Sequence, residues 1–192
     1  RRRRDGVSKA YYMACLDLTG RRCVVVGGGA VGFEKASGLA VCGAAVTVVS
    51  PELDESFSGL DVEWVARRYR RSDLRGAFLV IAATSDRSVN DRVHRNAEKR
   101  GLLCNVADVP ELCNFILPAV HREGPIAVAV STGGASPALA KLLRTQVAEL
   151  VEPRHAQLAL ELEAMRPEVK AAFATYEERR DHFDELVRER LS

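Results

Sequence analysis

No run of apolar residues in this chain is long enough to cross a bilayer, and no secretory leader is visible. A cytoplasmic protein without membrane contact is therefore expected. Cysteines are few and unpatterned: Cys15, Cys23, Cys42, Cys104 and Cys113 make an odd number, and no pair has C-x-x-C spacing. That argues against a disulfide framework and a zinc site, and predicts free, mostly buried thiols in a reducing compartment. H-E-x-x-H, G-x-S-x-G and clustered His/Cys are all missing, so hydrolase and metal-centre readings have no support. An excess of one charge is missing as well. The net charge is +2, and Arg1 to Arg4 alone supply four positive charges, so the remainder is slightly acidic and no nucleic-acid partner is expected. There are no internal repeats and no low-complexity segments.

What is present is 192 residues, 47% hydrophobic and 28% charged, enough for one ordinary domain plus an appendage. The most informative stretch is Arg22 to Ser50, RCVVVGGGAVGFEKASGLAVCGAAVTVVS. Gly27, Gly29 and Gly32 stand at G-x-G-x-x-G spacing directly after Cys23-Val24-Val25-Val26. A buried parallel strand delivers the chain to a tight turn, where missing side chains let a pyrophosphate approach the backbone. The helix that follows offers unpaired N–H groups and a partial positive charge. Alone, the glycine spacing is weak; between two β-branched strands and a helix it predicts a dinucleotide site over Gly27, Gly28, Gly29, Ala30 and Val31.

Strands are expected at Val24 to Val26, Ala45 to Val49, Val62 to Val65, Phe78 to Ala83 and Leu102 to Val106. Ala36, Leu39, Ala40 and Gly43 recur at helical spacing, as do Val89, Val93 and Ala97 within Asp86 to Arg100. Alternation at this pitch implies an α/β fold with a parallel, doubly wound, Rossmann-like sheet. After Pro110 the pattern changes. Phe115 to Leu150 reads as a small β/α unit, with a strand at Ile126 to Val130 and a helix capped by Ser136-Pro137. From Pro153 the chain reads as helical, with Phe173, Tyr176, Phe183 and Val187 in a second and third short helix. The domains so drawn are 1–113, 114–150 and 151–192.

Ligands of such sheets lie at the C-terminal strand ends. Glu52, after Ser50-Pro51, stands where a ribose-binding acid is expected, and no arginine sits beside it to receive a 2′-phosphate, which favours NAD over NADP. Thr84 and Ser85 end the fourth strand and either touch the cofactor or only cap the next helix. Asn105 and Asp108 are the polar side chains of LCNVADVP; a carboxylate there is placed to take a proton or to orient a substrate, or else it makes a plain turn. Ser131 to Ser136 is a second Gly/Ser/Thr loop before a helix N-terminus, suited to carboxylates or phosphates. Lys141 and Arg144 follow it, and His121 and Arg122 precede the strand before it.

Taken in order, VVVGGGAV, VTVVSPE, IAATSD, CNVAD, NFILPAV and STGGASPALAKLLR resemble the siroheme-synthase dehydrogenase family of precorrin-2 dehydrogenases, often also sirohydrochlorin ferrochelatases. The resemblance runs from Tyr11 to Leu191. It implies three parts: the NAD-binding domain, a dimerisation unit and a C-terminal helical domain, assembled as a homodimer around a tetrapyrrole. It implies that NAD contacts the Gly27 to Val31 loop and Pro51-Glu52, and that Asp108 is the essential aspartate. Asn114, Ser131 and Thr132 match positions near the tetrapyrrole pocket. From their place after the second loop, and not from the resemblance, Lys141 and Arg144 are expected to bind substrate carboxylates. If the chain also inserts Fe²⁺, Asp108 would escort the metal. Glu34 departs from the family, where arginine is usual. Two alternatives share the cofactor fold: another small NAD-dependent oxidoreductase and a non-catalytic NAD-sensing domain. The first gives no reason for the STGGASP segment, and the second lacks the channel or transporter module it would serve.

Overall fold

A computed structural model describes residues 10–192. The arginine run Arg1 to Arg4, to which no function was attached, lies outside the described residues. Contacts group the chain into two units, Ala10–Ile116 and Leu117–Ser192.

The first unit holds β1 (Arg22–Val26), α1 (Ala30–Ala40), β2 (Ala45–Val49), β3 (Glu63–Val65), β4 (Leu79–Ala82), α2 (Arg87–Glu98) and β5 (Leu103–Val106). The strands form one five-stranded sheet, ordered β3-β2-β1-β4-β5, and every pairing is parallel. The central strands read as continuous apolar runs because both faces are covered. Their alternation divides two cores. Val24, Val26, Val49, Val80, Ala82, Cys104 and Val106 face α2's Val93 and Ala97. Cys23, Val25, Val46, Val48, Leu79 and Ile81 face α1's Ala36 and Leu39. Each fully buried Val or Ile contributes roughly 1.5–3 kcal/mol relative to exposure, and a slip of one residue would exchange the two cores.

The turns that follow α1 and α2 pass through Gly43 (φ +73°) and Gly101 (φ +64°), the breaks the sequence suggests. β5 lies at the sheet's edge, and its open side is covered by the chain returning through Asn114 and Phe115. Asn114 Oδ1 accepts from Cys104 N–H at 2.8 Å, its amide donates to Leu102 O at 2.8 Å, and its own N–H donates to Cys104 O at 3.0 Å. Asn105 donates to Phe115 O at 3.1 Å. Those bonds keep residues 114–116 with the sheet, beyond the boundary at 113 drawn from the sequence.

The second unit holds β6 (Ala119–Glu123), β7 (Ile126–Val130), α3 (Pro137–Leu150), α4 (Pro153–Ala172) and α5 (Tyr176–Leu191). β6 and β7 form an antiparallel hairpin closed by Gly124-Pro125, with Gly124 at φ +54°. A positive φ at the first turn position is what a two-residue hairpin of this hand requires. His121 and Arg122 precede β7, as read from the sequence, and they lie on a strand of their own, β6, which the sequence did not reveal. One expectation is corrected here. The tail after α4 is one 16-residue helix, not two short ones. No Gly or Pro interrupts Tyr176 to Leu191, and a reciprocal cap opens it: Thr175 Oγ1 accepts from Glu178 N–H while Glu178 accepts from Thr175 N–H. None of the five cysteines forms a disulfide, and Cys23, Cys104 and Cys113 are buried. No helix among the described residues is long and apolar enough to cross a membrane.

Candidate dinucleotide site

The C-terminal ends of β1, β2, β4 and β5 open on a cavity of about 850 Å³. Its floor is the turn Gly27-Gly28-Gly29. A Cβ on Gly27 would meet the Ala83 carbonyl, one on Gly28 the Glu52 carbonyl, and one on Gly32 the Gly27 carbonyl. These three glycines let neighbouring backbone close in. Gly27 N–H donates to Val49 O at 3.1 Å, and Gly28 O accepts from Asp54 N–H at 2.7 Å, which stitches the turn to the exit of β2. Gly29 differs: nothing stands within 4 Å of its Cβ position, and it lines the cavity. It is also the N-cap of α1, with no side chain capping the first turn. Orphan N–H groups beside side-chain-free backbone are what an anionic diphosphate requires. Gly28, only a spacer in the motif, is as constrained as Gly27 and Gly32.

Of the residues expected to hold the cofactor, Gly27, Gly28, Gly29, Ala30, Val31, Pro51, Thr84 and Ser85 line this one cavity. Asp108 lines it too, at the end of β5. Glu52 and Asn105 are not in its wall: Glu52 presents its backbone to Gly28, and Asn105 is buried against Phe115. Asn114, expected near substrate, has its side chain committed to β5. Ser131, Thr132, Lys141 and Arg144 belong to the second unit. There Thr132 Oγ1 accepts from Ser136 N–H at 3.0 Å and donates to Ser136 O at 3.1 Å, while Ser131 Oγ accepts from Gly133 N–H at 3.2 Å. Lys141 is exposed on α3, one turn before Arg144.

Thr84 acts as more than a surface hydroxyl. Its Oγ1 donates to Asn90 Oδ1 at 2.8 Å, and Asn90 returns a bond to Thr84 O at 2.9 Å. The cap of α2 is Asp86, which accepts from Ser88 N–H at 2.8 Å and Val89 N–H at 3.3 Å. The hydroxyl and amide bonds from Ser88 and Val89 hold its carboxyl below the ordinary range. Asn90, buried and bracing the loop, carries no motif by which the sequence would reveal it.

Asp108 is exposed and is the only non-glycine with positive φ (+61°) among the described residues. Such a conformation stores of order 1 kcal/mol or more and persists only where the surroundings impose it. The Cys113 thiol lies beneath the turn, 3.3 Å from the Val106 and Val109 carbonyl oxygens and 3.2 Å from Val106 N. Arg68, Tyr69 and Arg92 also line the cavity, and sequence reading missed all three. Tyr69 is buried, with its hydroxyl accepting from Asn96 of α2 at 3.1 Å.

A glycine turn with open backbone, an uncapped helix start and a polar rim over a parallel sheet define a dinucleotide-binding domain of the Rossmann type. Residues 14–119 match the family described as "Putative NAD(P)-binding", and the chain belongs to that family. Residues 123–150 match the model described as "Sirohaem biosynthesis protein central". The chain is 39% identical to a siroheme synthase of Nitrosomonas eutropha, covering 92% of this chain and 38% of that protein. It is 41% identical to one of Methylobacillus flagellatus, covering 89% and 38%. The chain thus spans little over a third of the curated relatives it matches. Among solved structures it resembles "SirC, precorrin-2 dehydrogenase" with a TM-score of 0.79 and 27% identity over 95% of this chain and 93% of that one. The family resemblance read from the motifs, the Rossmann-like fold and a nicotinamide dinucleotide as cofactor are all borne out.

Proposed function

We propose that this chain oxidises precorrin-2 to sirohydrochlorin with NAD⁺ as the hydride acceptor, in the cytoplasm. One observation carries the reading: Asp108, held in a left-handed turn, shares a cavity with the glycine cradle. The likeness to SirC along nearly the whole of both chains supports the choice of substrate.

The residues fit the cofactor. Gly29 and the first N–H groups of α1 would hold its diphosphate, Pro51 would border the adenosine, and Thr84 and Ser85 would border the far half. Bound there, the nicotinamide accepts a hydride. Oxidation of precorrin-2 also releases a proton, and the Asp108 carboxylate receives it or holds the macrocycle in line. In the second unit, the Ser131-Thr132 loop with Lys141 and Arg144 would bind peripheral carboxylates. Ferrochelation at the same carboxylate is the second activity proposed, with Fe²⁺ as substrate; Asp108 would take up the pyrrole protons as the metal enters.

Within the unit after Ile116, a dimerisation part to 150 and a helical part, 151–192, are proposed; the family match over residues 123–150 supports the division. Val120, Leu139, Leu142, Leu143 and Leu150 are exposed on β6 and α3, which suits a homodimer interface. The direct test is absorbance: precorrin-2 with NAD⁺ should yield the sirohydrochlorin spectrum and stoichiometric NADH. An NAD-sensing domain would bind NAD⁺ and produce neither, which would sink the proposal. Adding Fe²⁺ to sirohydrochlorin in the same cuvette tests chelation separately.

A further inference from the structure

α2 buries one face, the stripe Asn90, Val93 and Ala97. The second and third are apolar, as the helical period requires; the first is an amide. Asparagine is a poorer helix former than alanine and costly to bury unpaired, so its partners carry the reason for it. Those partners belong to one residue. Asn90 Oδ1 accepts from Thr84 Oγ1 at 2.8 Å and from Thr84 N–H at 3.3 Å, and Asn90 Nδ2 donates to Thr84 O at 2.9 Å. A primary amide supplies acceptor and donor together. A carboxylate would set oxygen against the Thr84 carbonyl, and an aliphatic chain would leave both backbone groups without this partner.

Thr84 lies on the stretch by which β4 hands over to α2, and Ala83, Thr84, Ser85 and Asp86 all line the cavity. That stretch leans on the glycine turn. A Cβ on Gly27 would strike the Ala83 carbonyl and crowd Thr84 N, and Ala83 N–H donates to Val26 O at 2.8 Å. The Thr84 hydroxyl also accepts from Asp86 N–H at 3.2 Å, so its polar atoms are spent within the protein. Ser85, the next residue, is exposed, and among the described residues its hydroxyl has no hydrogen-bond partner. Asn90 itself is not in the cavity wall, yet it fixes the residue from which Ser85 hangs.

We propose that Asn90 is a positioning residue for the dinucleotide: by fixing Thr84 it holds Ser85 where the hydroxyl meets the far half of the cofactor. This rests on the dinucleotide reading above and extends it. Calorimetric titration of the whole chain with NAD⁺ reads the effect without any need for turnover. Ser85→Ala should weaken binding about tenfold, the loss of one hydrogen bond to the ligand. Asn90→Leu, which keeps the bulk and removes the amide, should weaken it by a similar factor; Asn90→Ala is the second variant should the first fail to fold. The discriminating measurement is the double variant. In the Ser85→Ala background the change at Asn90 should cost no more than about twofold further, because the group it positions is already gone. A merely structural role would lower the thermal midpoint and leave the dissociation constant in place, or add in full to Ser85→Ala; either result, or a Ser85→Ala chain that binds NAD⁺ as tightly as the unmodified one, overturns the proposal. If NAD⁺ binds with the expected pattern and precorrin-2 is not oxidised, the positioning role stands and the dehydrogenase reading falls; if NAD⁺ does not bind, both fall.

Discussion

Asp108 is where backbone and chemistry make opposed demands. A glycine would relax the φ of +61°, but it has no carboxylate for the proton-accepting role proposed above. Asp108→Asn separates the two, because asparagine tolerates the left-handed region nearly as well. Its thermal midpoint should match the unmodified chain, while precorrin-2 oxidation falls about 10²–10⁴-fold, the span general acid–base groups supply. Oxidation at the unmodified rate would remove the carboxylate from the mechanism. The glycine turn offers a second contrast. In Gly28→Ala the new methyl lands on the Glu52 carbonyl, so stability should drop by roughly 1–3 kcal/mol in a denaturant titration. Gly29→Ala meets no protein atom, so it should fold normally and lose dinucleotide affinity instead. Equal destabilisation by both would mean that Gly29 has a packing task. The motif named Gly27, Gly29 and Gly32. That Gly28 is packed against backbone is visible only once β2's exit loop is in place.

At the scale of elements, β2 and β7 were the most legible. They occupy the residues expected, because a short run of Val, Ile, Thr and Ala stopped by Ser50-Pro51, or opened by Gly124-Pro125, admits few other readings. β6 was missed, since Ala119–Glu123 mixes charge with small residues and gains its identity by pairing with β7. The turn after β3 was equally silent. It is fixed by Asp73, whose carboxylate accepts from Arg67 at 2.7 and 2.9 Å and from Arg70 N–H at 2.7 Å. Burial pushes that carboxyl upward, but the bonds from Arg67 and Arg70 outweigh it, and it lies below the ordinary range. Because the folded value lies below the unfolded one of about 3.9, the pair stabilises the fold above that pH and ceases to do so as acid protonates the carboxyl. Asp73→Asn should therefore be less stable than the unmodified chain at pH 7, with the gap closing below about pH 4. A gap that persists into acid would point to lost shape, not lost charge. This turn also flanks Arg68, so a structural ion pair and a residue of the cavity wall meet in one short segment.

For the whole molecule, the leucines of α3 make an exposed apolar face among the described residues, with Leu139, Leu142 and Leu150 each about half exposed or more. If they form the proposed dimer interface, sedimentation should show a dimer, and Leu142→Asp should shift it to monomer while leaving dinucleotide binding to the first unit in place. A monomer before substitution would leave that surface for another partner. By itself the sequence determined the alternation of strand and helix, the glycine turn, the aspartate after β5 and the free cysteines, because each follows from local pattern and chain order. Only the tertiary structure decided which cations and carboxylates share a cavity. It brought Arg68 beside Ser50 through strand pairing, turned Glu52 to present backbone, and spent Asn105 and Asn114 on the edge of the sheet. Neighbours across a parallel sheet are set by its pairing order, β3-β2-β1-β4-β5, and not by distance along the chain.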